Sequence, residues 1–156
     1  VNIEEWVLDS EKVEDGVWQE IDDAKVLIGR AFSRRYAECL QKNMEERREE
    51  FLDASADGRA NEITEEALAK TMAEATLLGW ENMKFRDQVI PYSPEAAYVI
   101  LKNVSWFRER IWRMAQLREP YMAHTDGNAL GNLLASFVGT TGGGSETETS
   151  STNSSD

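Results

Sequence analysis

Apolar positions along this chain follow two rhythms. Near the start they fall in short β-rich runs, Val17-Trp18-Gln19-Glu20-Ile21 and Ala24-Lys25-Val26-Leu27-Ile28, with Asp22-Asp23 as turn chemistry between them. These predict a hairpin. Asp15-Gly16 supplies a preceding turn, and Trp6-Val7-Leu8 is a candidate further strand that would make a three-stranded meander.

After Ser33 the spacing changes to three and four. Tyr36, Leu40, Met44 and Phe51 share one face of a helix predicted from Arg34 to Asp53, with the mixed-sign run Glu45-Glu46-Arg47-Arg48-Glu49-Glu50 as its solvated face. Thr64 is placed to cap a second helix, with Ile63 and Leu68 as a hydrophobic staple. Leu68, Met72, Ala75 and Leu78 form its stripe, and Gly79 is its stop. Ser93-Pro94 opens a third helix ending near Asn103. Ser105 is read as the cap of a fourth, limited by Pro120, and a fifth runs from about Asn128 to Val138 with Leu130, Leu133, Leu134 and Phe137 on one face. The expected fold is mainly α (α+β): a small N-terminal β-hairpin or meander, then a bundle of four to five helices.

Thr140 to Asp156 contains five Thr, five Ser and three Gly and no apolar side chain, so it cannot offset its own ordering entropy. The expected organisation is a single α-rich domain over 1–139 and a disordered tail over 140–156. The tail's Glu146, Glu148 and Asp156 hold only three of the twelve net negative charges, so the acidity belongs to the folded part.

Composition narrows the function by exclusion. Lys and Arg total 17 against 29 Asp and Glu, a net of −12, which argues against a generic nucleic-acid binder. One cysteine, Cys39, excludes a disulfide framework and a Cys-rich metal site; one histidine, His124, excludes a His-clustered zinc centre. No apolar run approaches a membrane span, and the acidic N-terminus lacks a signal-peptide pattern, so a soluble, cytoplasmic protein is expected.

Candidate chemistry is sparse. Asp53-Ala54-Ser55-Ala56-Asp57-Gly58 imitates the start of an EF-hand loop, with oxygen ligands at positions one, three and five and glycine at six. Thr64 stands where the bidentate glutamate must close the coordination sphere, so the segment reads as a helix connector. Glu65-Glu66 suits a helix first turn. Cys39 has no CxxC partner, His124 sits in a loop before Asp126-Gly127, and Gly142-Gly143-Gly144 precedes no Lys-Ser/Thr. No catalytic, cofactor or metal site is expected, and the chain reads as a non-enzyme.

The fourth helix stands out. Phe107, Ile111 and Met114 fall together and must face the core, while Trp112 lies roughly 100° away, near Arg108. Trp106, Arg108, Arg110, Trp112 and Arg113 therefore form the candidate partner-binding set, with the composition of a hot spot. Four arginines and no lysine on or beside one helix favour protein carboxylates and stacking over phosphate. The alternative for Trp112 is packing beneath the C-terminal helix.

The order of segments resembles a known family. Gly16 to Tyr36 reads as a hairpin entering a helix; Ala73 to Asn82 ends in Leu-Leu-Gly-Trp-Glu-Asn; Val89-Ile90-Pro91-Tyr92-Ser93-Pro94-Glu95-Ala96-Ala97 follows a polar turn. Together, over about 13–120, these resemble the tail assembly chaperones of long, non-contractile-tailed bacteriophages, with Trp80 to Glu95 as the most specific stretch. The connector at 53–61 and the tail at 140–156 are outside that pattern. The resemblance implies a chaperone that coats the tape measure protein, keeps that long apolar helical chain soluble and helps recruit tail tube protein. It further implies many copies acting together, hence a homo-oligomer, in the cytoplasm of the infected bacterial host, and absence from the mature virion. In the family a programmed frameshift adds a second domain to a minority product that engages tube protein, and 140–156 is where such an extension would attach. No catalytic residue travels with the family. Two rivals remain: a virion structural piece such as a tail completion or connector protein, and an acidic DNA mimic or inhibitor acting on a host protein.

Overall fold

The computed structural model describes residues 1–123 and 128–142; His124 and the segment 143–156 fall outside the described residues. The chain divides into two compact units, residues 8–122 and residues 1–7 with 123–156. The fold is mainly helical, with the small N-terminal hairpin in place.

In the larger unit, helix α1 (Ser10–Asp15) precedes the hairpin β1 (Val17–Ile21) and β2 (Ala24–Ile28), paired in the expected register with Ile21 opposite Ala24. Asp22 adopts φ 53°, the left-handed conformation the tight turn requires and Asp tolerates. Gly16, at φ 91°, closes α1 and turns the chain into β1. The third strand is not Trp6-Val7-Leu8. Ile3–Trp6 is instead a 3₁₀ turn, and Leu8 makes one antiparallel bridge with Met122.

The third strand is β3 (Leu77–Glu81), antiparallel to β2 on the side away from β1. This corrects the expected helix end. Local pattern gave Leu77 and Leu78 to the helix, yet α4 (Ala60–Ala75) ends first, and Leu77 and Trp80 are buried opposite Ile28 and Val26. Gly79 therefore stops no helix. It lies opposite Leu27, where a side chain would touch Leu27 and the Trp18 ring.

Trp80 Nε1 donates to the Ile90 carbonyl (2.7 Å), and Tyr92 Oη donates to the Leu77 carbonyl (2.9 Å). The two rings meet edge to face at 4.9 Å. These contacts lock β3 to the chain leaving a short hairpin, β4 (Lys84–Phe85) with β5 (Gln88–Val89). The stretch of sequence that carried the resemblance is thus a strand-to-loop clamp.

The predicted helix from 34 to 53 is two helices, α2 (Arg34–Glu46) and α3 (Arg48–Asp57), broken at Arg47 (φ −110°, ψ 14°). The charged run 45–50 offers no apolar residue to bury, so nothing holds a continuous stripe there. Arg47 instead bridges Glu50 and Glu66. Asp53, Ser55 and Asp57 consequently lie on a helix and cannot converge as calcium-loop ligands; Gly58, at φ 78°, caps its end.

α4 begins at Ala60 rather than after Thr64, whose hydroxyl donates back to the Ala60 carbonyl. Ile63 is then a buried interior residue and not a staple. Ala67, Ala69, Ala73 and Ala75 are all buried, so other elements approach α4 closely from several sides. α5 (Pro94–Asn103) begins as predicted, Ser93 Oγ accepting from the Ala96 amide. α6 (Ser105–Gln116) starts at Ser105 itself; Val104 holds the cap position without a side-chain bond. Among the described residues six α-helices follow the hairpin, one more than the expected upper count. Val26, Ile28, Leu77, Leu101 and Ile111, all fully buried, join the sheet face to α5 and α6.

The smaller unit holds the 3₁₀ turn, capped by Asn2, a bond from the Ala123 amide to the Val7 carbonyl, and α7 (Asn128–Gly142). α7 runs three residues past the expected domain end at 139. Leu133 and Phe137 of its predicted stripe are exposed.

Candidate partner-binding cleft

The cleft is built where α2, α4 and α6 meet. α2 is capped twice at its N-terminus: Ser33 Oγ accepts from the Tyr36 amide (3.1 Å), and the Glu14 carboxylate accepts from the Arg34 and Arg35 amides (3.0 Å each). That fixes where Tyr36 projects. α6 is fixed by its inner stripe, Phe107, Ile111, Met114 and Ala115, all buried as the periodicity predicts.

The five candidate residues of α6 form two groups. Arg108 and Trp112, four apart, share the flank turned toward α2 and α4. With Tyr36, Leu68, Met72 and Glu109 they line a cleft of about 270 Å³. Trp106, Arg110 and Arg113 project outward and are exposed. At 100° per residue Arg113, Trp106 and Arg110 fall about 100°, 120° and 160° around the helix from Trp112.

Trp112 is half-buried against Tyr36, with ring centroids 5.2 Å apart and the planes tilted by 41°. The Trp112 ring packs on the core at Tyr36 and also lines the cleft. Phe32 lies edge-on to Trp112 at 5.3 Å and to Tyr36 at 6.1 Å.

Phe32 is held by an unfavourable backbone. The Ser33 amide returns to the Arg30 carbonyl (3.3 Å), closing a four-residue turn with Phe32 in its third place at φ 59°. A type II turn normally puts glycine there, and an ordinary L-residue pays about 1–2 kcal/mol. The ring is still 73 % exposed, so burial does little to offset that cost. The Ala31 amide, bonded to the Ala115 carbonyl (2.8 Å), ties this turn to the end of α6 and aims Phe32 at Trp112.

Among the described residues Arg108, Arg110 and Arg113 make no ion pair, although Arg108 Nη1 donates to the Leu101 carbonyl (3.2 Å). The cleft is thus an aromatic and thioether surface with Arg108 and Glu109 on one side. Its volume lies just below the usual range for small-molecule pockets and suits one or two apolar side chains.

A larger concavity of about 620 Å³ includes Asp15, Arg35, Cys39, Glu74 and Tyr92. Its charged walls and the commitment of the Tyr92 hydroxyl to Leu77 make it a poorer apolar receptor. Burial and neighbouring Glu74 raise the Cys39 thiol above its ordinary value, which keeps it protonated and unreactive. No group of three or more His, Cys, Asp or Glu among the described residues could hold a metal ion, and no described helix is long and apolar enough to cross a membrane.

Of the residues lining this cleft, the helical period singles out Arg108 and Trp112 and gives no sign of the rest. Tyr36, Leu68 and Met72 had been read simply as buried stripe positions, and no local signal marks Phe32 as left-handed.

No curated protein and no solved structure matches the chain. A family model described as YdaY prophage protein matches residues 31–132, more than half of the chain, from the Phe32 turn through both helices that supply the aromatic pair. The chain therefore belongs to the YdaY prophage protein family and is phage-derived.

Proposed function

We propose that this prophage protein is a tail assembly chaperone whose aromatic cleft receives apolar helical segments of the tape measure protein, keeping that chain soluble and helping to recruit tail tube protein. The observation that carries the reading is the cleft itself: Tyr36, Trp112, Leu68 and Met72 line a water-accessible groove on a strongly acidic protein, with Phe32 against its two rings. Groove recognition of an amphipathic helix needs such apolar anchors, and a high net charge keeps a coated complex soluble. The segment order resembling tail assembly chaperones and the phage family both support it. On this reading the protein performs no catalysis, acts in the host cytoplasm as several copies, and leaves before the virion is complete. A frameshifted longer form would carry the contact with tube protein.

Co-expression with the tape measure protein of the same prophage tests this. The expected outcome is a soluble complex, lost when the chaperone is omitted, and weakened when Trp112→Ala is assayed on its folded fraction. An equally insoluble client, or stoichiometric retention of this chain in purified particles, overturns the proposal; the latter result favours a virion structural role.

A further inference from the structure

We infer that Phe32 holds the place of a client side chain over the Tyr36–Trp112 pair, and that a large apolar residue of the docked helix takes that place over. The inference rests on the reading of the cleft as a docking site.

Phe32 combines three features that an ordinary surface or core aromatic lacks together. Its backbone is left-handed at φ 59°, in a turn position that favours glycine. Its ring is 73 % exposed, so it is not retained for burial. Its edge nevertheless meets both aromatic rings that line the cleft. A strained residue in contact with a binding surface is a candidate for a part that moves.

The turn around it is pinned on both sides. Ala31 is bonded to Ala115, and Ser33 caps α2. Movement is therefore confined to the peptide between Ala31 and Phe32. A flip of that peptide turns the type II turn into type I, brings Phe32 to a negative φ, releases the strain and shifts the ring from Trp112, uncovering apolar surface. A phenylalanine, leucine or methionine from a partner helix restores the lost edge contacts without the unfavourable backbone. Client binding then draws on the strain that the empty cleft stores, and a helix lacking a large apolar residue at the anchor position gains nothing from displacing Phe32.

The sign of one substitution tests it. Phe32→Gly keeps the turn, because glycine accepts a positive φ, and removes the ring. The probe is a fluorescently labelled eighteen-residue amphipathic helix of Leu, Ala and Gln with one Phe at its centre, titrated into the full chain and followed by anisotropy. If the wild-type cleft is competent only when Phe32 swings away, the variant binds about fivefold or more tightly and associates faster. Replacing the central Phe and every Leu of the peptide with Ala abolishes that gain. Weaker binding by Phe32→Gly makes Phe32 an ordinary contact residue and overturns the inference, as does unchanged binding. Wild-type binding that is insensitive to Trp112→Ala, or no binding by either protein, fails the docking reading itself and the inference with it. Phe32→Leu, which keeps an apolar plug on the same turn, separates displacement from altered folding: it binds like wild type if the plug matters and like Phe32→Gly if only the aromatic edge does, the latter overturning displacement by leucine or methionine.

Discussion

The basic side chains Lys42, Arg47, Lys70 and Lys102 and those of α6 live under opposite conditions, while the exposed Arg35 and Arg48 resemble α6 in having no ion pair among the described residues. On the first set, Arg47 reaches Glu66 (2.6 Å) and Glu50 (2.9 Å), Lys102 reaches the other oxygen of Glu66 (3.4 Å), Lys70 reaches Glu46 (3.2 Å) and Lys42 reaches Glu74 (3.3 Å). On α6, Arg108, Arg110 and Arg113 have no carboxylate partner among the described residues, in a chain with 29 acidic residues to choose from. Cations that serve the fold are compensated within it. Those beside the aromatic cleft are left for something else, and the inner face of α6 must hold the helix without them.

That contrast is most exposed at the inner face. Ile111 is fully buried between the sheet and the helices. Ile111→Ala removes its contacts and leaves a cavity, costing about 2–4 kcal/mol. Urea denaturation should show the midpoint falling by that amount, while client affinity per folded molecule stays unchanged. A change below about 0.5 kcal/mol would mean that α6 is anchored by something other than its stripe.

Trp112 sits on the boundary between the two regimes and should show both effects. Its ring packs on Tyr36 and Phe32 but remains only half-buried. Trp112→Ala should cost roughly 2 kcal/mol, at the low end for a large aromatic, and reduce client affinity tenfold or more. Comparing circular-dichroism melting with binding on the folded fraction separates the two. Loss of stability with unchanged affinity would return Trp112 to the core.

These two residues also mark how far the sequence could be read. The stripe of Phe107, Ile111 and Met114 and the displacement of Trp112 follow from a 3.6-residue period, because α6 is a regular helix with one dry side. The hairpin and the Ser93–Pro94 start were legible for the same reason: turn and cap chemistry is local. β3 was not, since Leu77 and Trp80 become strand residues through pairing with β2, about fifty residues earlier. The break at Arg47 depends on Glu66, nineteen residues on. Only the packing of α2 and α4 against α6 converts Tyr36, Leu68 and Met72 from core stripe into cleft wall, so half of the candidate site was invisible locally.

On the compensated side, Glu66 is the node. The hydrogen bond from Arg47, with further help from Lys102, holds its carboxyl below the usual glutamate range. A carboxyl depressed on folding contributes stability that is present above its unfolded pKa and lost as pH falls through its folded value. Glu66→Gln should therefore cost about 1 kcal/mol at neutral pH and flatten the stability profile on the acid side of the ordinary glutamate range. Chemical denaturation at a series of pH values measures both. An unchanged acid slope would show that the pairing of Arg47 and Lys102 adds nothing to the fold.

The uncompensated side predicts the smallest stability change. Arg110 and Arg113 are exposed and unpaired, so either truncation to alanine should leave stability within about 0.5 kcal/mol of wild type. Their positions on the helix wheel nevertheless make different demands on binding. Arg113 lies about 100° around the helix from Trp112 and Arg110 about 160°, so Arg113 is the nearer to the cleft rim and the better placed to reach carboxylates flanking a docked helix. Arg113→Ala should weaken client binding a few-fold, with the loss shrinking as salt is raised, because exposed charges are screened over about 8–10 Å at moderate ionic strength. Arg110→Ala should leave the same binding curve in place. If the two variants lose affinity equally, the arginines act through a general field and not at the rim of the cleft. If Arg110→Ala alone is defective, the client lies along the outer face of α6 with Trp106, and the aromatic cleft is not its seat.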